Sequence, residues 1–301
     1  MRCIILFCFF ISLHLASYGQ VDSLLKEAEI LFTIDEKEKG FNHYELAFEK
    51  MSEDDLRYGT ILAKLFKYNI ERDNERKLLY YFDKIISSKL DDREPSFDNI
   101  KEPFKNYRYK ASKAMGEFYF NKKQYFKSLD YIDLADFSCS YHNNLLSYYK
   151  AEKIDLAFMR MKNYLEQDKR DSALYFLVKR AFEYDYKDQY PQFSNNNVCV
   201  EERELTDKIF SFFPINEDFK AFKNSLDKSI ESIESKNDST STLIKMELNN
   251  MTYIIPVNSL KNSAEDCITY LKNAPFYLAL DHKFPKKITP KVEEKKPEEE
   301  K

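Results

Sequence analysis

Apolar side chains recur every three or four residues from residue 22 to about residue 193, with Lys and Glu between them. This spacing places the apolar residues on one side of a helix, so we predict a series of amphipathic helices. One predicted helix pair has a polar break at 71–75, and a loop with Pro95 and Pro103 follows it. Its apolar side is formed by Leu62, Leu65, Phe66 and Asn69 before the break and by Leu78, Leu79, Phe82 and Ile85 after it.

The clearest helix pair spans residues 109–135, with a polar break at 121–124. Ala111, Met115, Gly116 and Tyr119 precede this break, and Tyr125, Ser128, Leu129, Ile132 and Ala135 follow it. These residues resemble the tetratricopeptide repeat. In that family a large residue and a Gly stand side by side where the two helices cross, a Tyr follows three residues later, and small residues in the second helix let the backbones approach.

Six residues match the places of that family: Met115, Gly116, Tyr119, Tyr125, Ser128 and Ala135. The chain departs from the family at Ser112, where the first aromatic residue would stand, and at Lys123, where the turn Gly would stand. The resemblance implies helix pairs that stack side by side.

The neighbouring segments follow the pattern less closely. Tyr164 and Ala173 repeat the spacing of Tyr119 and Ser128, but Arg160 and Met161 occupy the places of Met115 and Gly116. Equivalent places fall on Leu78, Ser128 and Ala173, 50 and then 45 residues apart, whereas a regular array repeats about every 34 residues. We therefore expect a mainly all-α fold with an irregular tetratricopeptide-like α-solenoid over 20–193. An ordinary helical bundle with one accidental match is the alternative.

Residues 194–285 are predicted to form a helical extension. One helix ends at Phe213, before Pro214, and an exposed loop occupies 235–241. Between them a second helix carries Phe219, Phe222, Leu226, Ile230 and Ile233 on one side. A last short helix, capped by Ser263, is predicted to end at Lys272. Residues 286–301 are almost entirely Lys, Glu and Pro, so we predict a disordered charged tail.

Only residues 242–257 show a pattern that predicts β-strands, and we predict a β-hairpin there. A turn at Asn249 and Asn250 would pair apolar residues on one face: Leu248 with Met251, Met246 with Tyr253, and Ile244 with Ile255. Because an isolated hairpin is only marginally stable in water, this face must pack against helices of the same chain or against a partner.

Residues 1–19 have the pattern of a secretory signal peptide. Arg2 precedes an apolar run over 3–13, and the small residues Ser17 and Gly19 lie before the expected cleavage point. A membrane-spanning helix needs about 20 apolar residues, so we predict no membrane span after signal removal. The prediction is a soluble exported protein, periplasmic or extracellular, and an uncleaved buried helix is the alternative.

Composition narrows the classes of function. The chain has 47 Lys and Arg residues against 51 Asp and Glu residues, with no basic stripe, so we expect no nucleic-acid partner. Cys139, Cys199 and Cys267 remain after the leader, and three thiols do not make a disulfide framework. Whether two of them form one disulfide stays open.

The candidate chemistry is sparse. The chain has four Gly residues, too few and too scattered for a phosphate-binding loop or a nucleophile elbow. Cys139 and His142 are the closest nucleophile and base, but they lie in a predicted loop with no second pair of metal ligands. We therefore expect no catalytic residue, no metal and no cofactor. Carboxylates are too numerous to nominate a catalytic pair, and an exported hydrolase with dispersed carboxylates remains an alternative.

Stacked helix pairs create an extended concave surface that binds by shape. In tetratricopeptide proteins the first helix of each pair lines this groove. The matching places here are Lys110, Lys113, Glu117, Phe120 and Asn121. We predict an exported non-enzymatic interaction scaffold that binds a protein or peptide there. A structural envelope protein that self-associates through the hairpin is a further alternative.

Overall fold

The computed structural model describes residues 19–92, 106–138, 146–182, 200–236, 243–248, 251–256 and 271–285. These residues are mainly helical and include one two-stranded sheet near the C-terminus, which confirms the predicted fold class. None of the helices in these ranges is long and apolar enough to span a membrane.

The helices of the first part of the chain are α1 (residues 19–33), α2 (Lys37–Lys50), α3 (Tyr58–Glu71), α4 (Glu75–Ser87), α5 (Tyr107–Asn121) and α6 (Tyr125–Ser138), with a 3-10 turn at Leu90–Asp92. The later elements are α7 (Leu146–Glu166), α8 (Arg170–Ala181), α9 (Val200–Phe212), α10 (Glu217–Lys236), β1 (Leu243–Leu248), β2 (Met251–Pro256) and a C-terminal helix (Pro275–Lys283), which follows helical residues 271–273.

Contacts among the residues divide the chain into unit 1 (Met1–Ser140) and unit 2 (Tyr141–Lys301). In unit 1 the helices form three pairs, α1 with α2, α3 with α4, and α5 with α6. Successive pairs pack through α2 on α3, α4 on α5, and α3 on α5. One hydrophobic core runs through all three pairs. Unit 1 therefore contains the paired, stacked helices that the sequence predicts.

The same turn joins the two helices of each pair. Asp35, Asp73, Lys123 and Asp168 have φ angles of 61°, 53°, 58° and 57°, in the left-handed region. In every turn the N–H of the left-handed residue donates to the carbonyl group three residues before it. The N–H of the following residue donates to the carbonyl group five residues before that residue. These two hydrogen bonds define a Schellman motif, which satisfies carbonyl groups at the end of a helix. Lys123 adopts the turn conformation although the tetratricopeptide pattern has Gly at that place.

Small residues lie where the helices of a pair cross. Met115, Gly116 and Tyr119 are buried, and the Ser128 hydroxyl donates a 2.7 Å hydrogen bond to the Gly116 carbonyl oxygen. α5 and α6 therefore lie in direct contact at Gly116 and Ser128. The residues five positions after each left-handed turn residue are all buried: Gly40, Leu78, Ser128 and Ala173. The repeat therefore also includes α1 and α2, whose Gly40 the sequence pattern did not place.

Unit 2 combines one helix pair with additional elements. α7 pairs with α8, α9 packs on both, and α10 packs against the C-terminal helix. The predicted apolar side of α10 is buried at Phe219, Phe222, Leu226 and Ile230. α10 continues to Lys236, so residues 235 and 236 of the predicted loop are helical. The C-terminal helix was not predicted, and it buries Phe276 and Leu280 in the same core.

The hairpin has the predicted register. Leu248 pairs with Met251, Met246 with Tyr253, and Ile244 with Ile255. β1 packs on α10 and β2 packs on α8. Leu248 and Tyr253 are buried, and the Tyr253 ring lies 5.1 Å from the Tyr175 ring and 5.7 Å from the Phe222 ring. Helices of unit 2 therefore cover the apolar face of the hairpin at Leu248 and Tyr253.

Several predictions fall outside the described residues. They concern residues 1–18 of the signal peptide predicted over 1–19, the loop with Pro95 and Pro103, Cys139, His142, Cys199, Cys267, the hairpin turn at Asn249 and Asn250, the Ser263 cap and the tail 286–301. The division between a repeat region ending at 193 and an extension starting at 194 also stays a prediction.

Candidate partner-binding surface

The start of α5 is fixed by side chains that accept hydrogen bonds from its backbone. The Asp91 carboxylate accepts from the N–H groups of Tyr107 at 2.6 Å and Arg108 at 2.9 Å. The Asn106 side-chain oxygen accepts from the Tyr109 N–H at 3.0 Å. These bonds satisfy N–H groups that a helix start leaves unpaired, and the negative charge of Asp91 favours the positive end of the helix dipole. The orientation of α5 is therefore set by the segment that follows α4.

The five predicted partner-binding residues lie on one side of α5. Lys110, Glu117 and Asn121 are exposed, and Lys113 and Phe120 are half-buried. Their separations of three and four residues place them on the same side of the helix. This side offers two ammonium groups, a carboxylate, an amide and an aromatic ring.

The two half-buried residues also have contacts within unit 1. The Lys113 ammonium lies 5.8 Å from the centre of the Tyr109 ring, within the range of a cation–π interaction. The Phe120 ring lies 5.8 Å from the Tyr125 ring at the start of α6. The helix pair therefore restricts the position of Phe120 and leaves part of its ring exposed.

α3 adds an equivalent set of residues beside α5, on which it packs. Counted back from the left-handed turn residue, the positions of the five α5 residues correspond in α3 to Thr60, Ala63, Lys67, Ile70 and Glu71. Four of these residues are exposed, and Ile70 is half-buried. We refer to these ten residues of α3 and α5 together as the first-helix surface.

The sequence pattern did not identify the α3 half of this surface. The α3 residues are identified by the number of residues that separate each of them from the left-handed turn residue. Phe32, Ile70, Phe120 and Leu165 each lie three residues before that residue, and all four are half-buried. An apolar side chain therefore recurs at the same level in the first helix of every pair.

Glu29 of α1, Tyr44 of α2 and Lys64 of α3 form one polar network. The Lys64 ammonium donates to the Tyr44 hydroxyl at 2.8 Å and lies 3.4 Å from Glu29, which also accepts from the Tyr44 hydroxyl. The hydrogen bond from Tyr44 lowers the pKa of Glu29. By contrast, Lys67 and Lys110 form no ion pair with any other described residue. Their charges remain available to a partner.

Contacts at the turns fix the spacing between α3 and α5. The Lys122 ammonium lies 2.5 Å from Asp73, and the Tyr119 hydroxyl donates to Glu75 at 2.8 Å. The hydrogen bond with Asp73 raises the pKa of Lys122. Burial, followed by the hydrogen bond to Glu75, raises the pKa of Tyr119. The turn of the third pair is thereby joined to the turn of the second pair.

Within the ranges that the structure describes, no group of three or more His, Cys, Asp and Glu side chains lies close enough to hold a metal ion. Comparison with known proteins gives no match to a protein-family model, to a curated protein or to a solved structure. The class of the protein is therefore defined by its fold, in which helix pairs joined by a repeated turn stack within unit 1.

Proposed function

We propose that this chain is an exported, non-enzymatic scaffold of the tetratricopeptide type that binds a protein or peptide segment on the first-helix surface. The observation that carries the proposal is that α3 and α5 lie side by side, that an equivalent turn follows each of them, and that each keeps one side exposed. Stacked helix pairs of this kind bind along an extended surface and need no reactive group at one point.

The chemistry of the surface favours a segment with both acidic and apolar side chains. Lys67 and Lys110 supply exposed cations, and Ile70 and Phe120 supply half-buried apolar contacts at the same level of two neighbouring helices. Packed helices lie about 8–10 Å apart, and a segment in the polyproline II conformation advances about 3.1 Å per residue and completes one turn every three residues. A segment that crosses the surface reaches both apolar residues with side chains about three residues apart. Glu71 and Glu117 would disfavour a uniformly acidic segment.

The test is loss of a co-purifying partner. In the variant Lys113→Ala with Phe120→Ala we expect the partner to be lost while the helical circular dichroism signal is unchanged. Because Phe120 also packs on Tyr125, the exposed Lys110→Glu is a second variant that changes only the charge. The control variant is Leu46→Ala with Lys84→Ala, exposed residues of the second helices α2 and α4, and it should retain the partner. Retention of the partner by all three variants would rule out this surface.

Export is a separate part of the proposal, supported by the apolar run over 3–13 and the small residues before residue 20. We expect N-terminal sequencing of the protein from its native cells to begin at Gln20. A chain that begins at Met1 and is recovered inside the cell would contradict export and would leave the binding surface untouched.

A further inference from the structure

The hairpin presents outer edges that no other described strand covers. A two-residue connection makes Leu248 and Met251 a hydrogen-bonded pair, and such pairs alternate along an antiparallel ladder. The backbone N–H and C=O groups of Leu243, Lys245 and Glu247 therefore point away from β2. No described backbone group bonds to them. β1 thus offers a row of three donors and three acceptors.

The outer edge of β2 is less suited to pairing. Thr252, Ile254 and Pro256 occupy its outward positions, and Pro256 has no N–H group. A strand added to β2 would lose one of three hydrogen bonds from β2 donors, whereas a strand added to β1 would form the complete row. If the hairpin pairs with another strand, β1 is therefore the favoured edge.

At Leu248 and Tyr253 the apolar face of the hairpin is not available to a partner, because helices of unit 2 already cover these two residues. The register assigns positions 245 and 247 of β1 to the opposite face, where Lys245 and Glu247 stand in the sequence, and Glu247 is exposed. Charged residues on an edge strand disfavour pairing with most other strands. A partner strand must place opposite charges across from these two residues.

The β1 strand of a second copy satisfies this charge requirement when the two β1 strands pair in antiparallel orientation. A two-fold axis through Met246 places Lys245 opposite Glu247 of the second copy, and Glu247 opposite its Lys245. The backbone N–H and C=O groups of Lys245 and Glu247 both point away from β2. Each Lys–Glu pair is therefore also joined by main-chain hydrogen bonds between the two β1 strands. A shift of register by two residues would place Lys245 opposite Lys245, and like charges directly opposite each other are destabilising.

We propose that β1 pairs with β1 of a second copy of this chain and forms a four-stranded antiparallel sheet in the order β2, β1, β1, β2. Main-chain hydrogen bonds supply the attraction, and the two Lys–Glu pairs select the register. The outer edges of this sheet are both β2 edges with Pro256, so the assembly closes as a dimer. The dimer uses unit 2 and does not depend on the first-helix surface in unit 1, so either proposal can fail alone.

The test is sedimentation velocity of the full chain from about 1 μM to about 1 mM, the range of weak, transient complexes. We expect the wild-type protein to shift from monomer to dimer across this range. Lys245→Glu alone and Glu247→Lys alone each place two like-charge pairs across the axis, and each should weaken the dimer at least about tenfold. A wild-type protein that stays monomeric throughout would overturn the proposal.

Charge exchange distinguishes a specific interface from a folding defect. The double variant Lys245→Glu with Glu247→Lys restores both opposite-charge pairs and should dimerise like the wild type. A mixture of the two single variants should form mixed dimers, because Lys245 and the new Lys of one chain then face the Glu residues of the other. Single variants that dimerise as strongly as the wild type would contradict the proposed register.

A proline scan separates the two edges. Lys245→Pro removes an outward N–H from β1, and Ile254→Pro removes an outward N–H from β2, while neither removes a hydrogen bond within the hairpin. We expect Lys245→Pro to abolish the dimer and Ile254→Pro to retain it, with similar melting temperatures for both. Loss of the dimer in Ile254→Pro with retention in Lys245→Pro would assign the interface to β2 and overturn the proposal.

Discussion

Charged side chains connect helices in both units, but they lie at different depths. In unit 1 the ion pairs between successive helix pairs are at the surface, as in Lys77 with Glu45 at 2.7 Å and Arg72 with Glu38 at 3.2 Å. In unit 2 the Lys223 side chain is 0% exposed. Its ammonium group donates to Asp227 at 2.7 and 2.8 Å and to Asp281 at 2.8 Å.

This difference indicates how each unit responds to substitution. An exposed ion pair contributes at most about 1 kcal/mol, so each ion pair between the helix pairs of unit 1 contributes little. Removal of one partner from a buried ion pair costs about 3–5 kcal/mol, because the other charge is left without compensation. We therefore expect the surface of unit 1 to accept changes of charge, whereas unit 2 depends on a few buried groups.

The largest expected effect is the loss of Lys223. Lys223→Ala leaves Asp227, whose side chain is 11% exposed, without its cation and should lower the free energy of unfolding by about 3–5 kcal/mol. Lys220→Ala is the matched control on the same helix, because it removes an exposed ion pair with Glu217, and should cost less than about 1 kcal/mol. Urea unfolding of both variants measures the difference. Equal costs would mean that the depth of the ion pair does not matter.

The crossing of α5 and α6 in unit 1 should give the next largest effect. Ser128 is buried, and its hydroxyl lies 2.7 Å from the Gly116 carbonyl oxygen, so Ser128→Leu overfills the crossing. Overpacking of this kind costs about 1–3 kcal/mol. Asp130→Leu, at an exposed position of the same helix, is the control and should stay within about 0.5 kcal/mol of the wild type. A tolerated Ser128→Leu would show that the crossing is not tightly packed.

Alkaline pH should weaken unit 2 through Tyr253. Burial raises the pKa of Tyr253, and its hydroxyl has no hydrogen-bond partner among the described residues. The stability that the neutral phenol contributes is fully present below the unfolded pKa of about 10 and is lost as the pH rises towards the folded pKa. Tyr253→Phe should therefore be nearly neutral at pH 7 and should lose less stability than the wild type above about pH 10. Parallel pH profiles of the two proteins would contradict this assignment.

Deprotonation of Lys223 also lowers the stability of unit 2 as the pH rises. The comparison between wild type and Tyr253→Phe must therefore be made with Lys223 intact. Burial lowers the pKa of Lys223, but the hydrogen bonds to Asp227 and Asp281 outweigh burial and raise it overall. The difference between wild type and Tyr253→Phe cancels this shared contribution and isolates the phenol.

The smallest expected effect is a gain of stability at a turn of unit 1. Lys123 has a φ of 58°, a conformation that costs a non-glycine residue about 1–2 kcal/mol and that Gly adopts freely. Lys123→Gly should raise the free energy of unfolding by up to about 1 kcal/mol. Asp73→Gly, at the equivalent turn, should gain less, because Asp tolerates this region better than Lys and because the change also removes the carboxylate that contacts Lys122. A destabilised Lys123→Gly would mean that the Lys123 side chain contributes more than its backbone strain costs.

The elements that the sequence predicted are those with a clear period. Ile244, Met246 and Leu248 alternate with polar residues across a two-residue connection, so one register alone places the apolar residues on a single face, and that register is present. The apolar side of α10 was predicted because it extends over several helical turns. The C-terminal helix was missed because nine residues provide too few turns for a period to appear.

Other features depend on contacts that no local pattern contains. In the sequence Lys223 is typical of a solvent-exposed lysine, and its partner Asp281 lies 58 positions away. The left-handed turn at Lys123 was not predicted, because Lys has no preference for that conformation and Schellman bonds hold it there. The spacing of the five predicted α5 residues puts them on one side of a helix, but the equivalent residues of α3 became evident only when the turns were aligned.

Photo-cross-linking in the native cells tests the proposed binding surface most directly. A photoreactive amino acid is placed at Lys67, Lys110 or Glu117 on the first helices, or at Lys84 or Asp130 as exposed controls on the second helices. We expect the three first-helix positions to give one and the same cross-linked partner and the two controls to give none. Cross-links that arise only from the second helices, or equally from all five positions, would contradict a binding surface formed by α3 and α5.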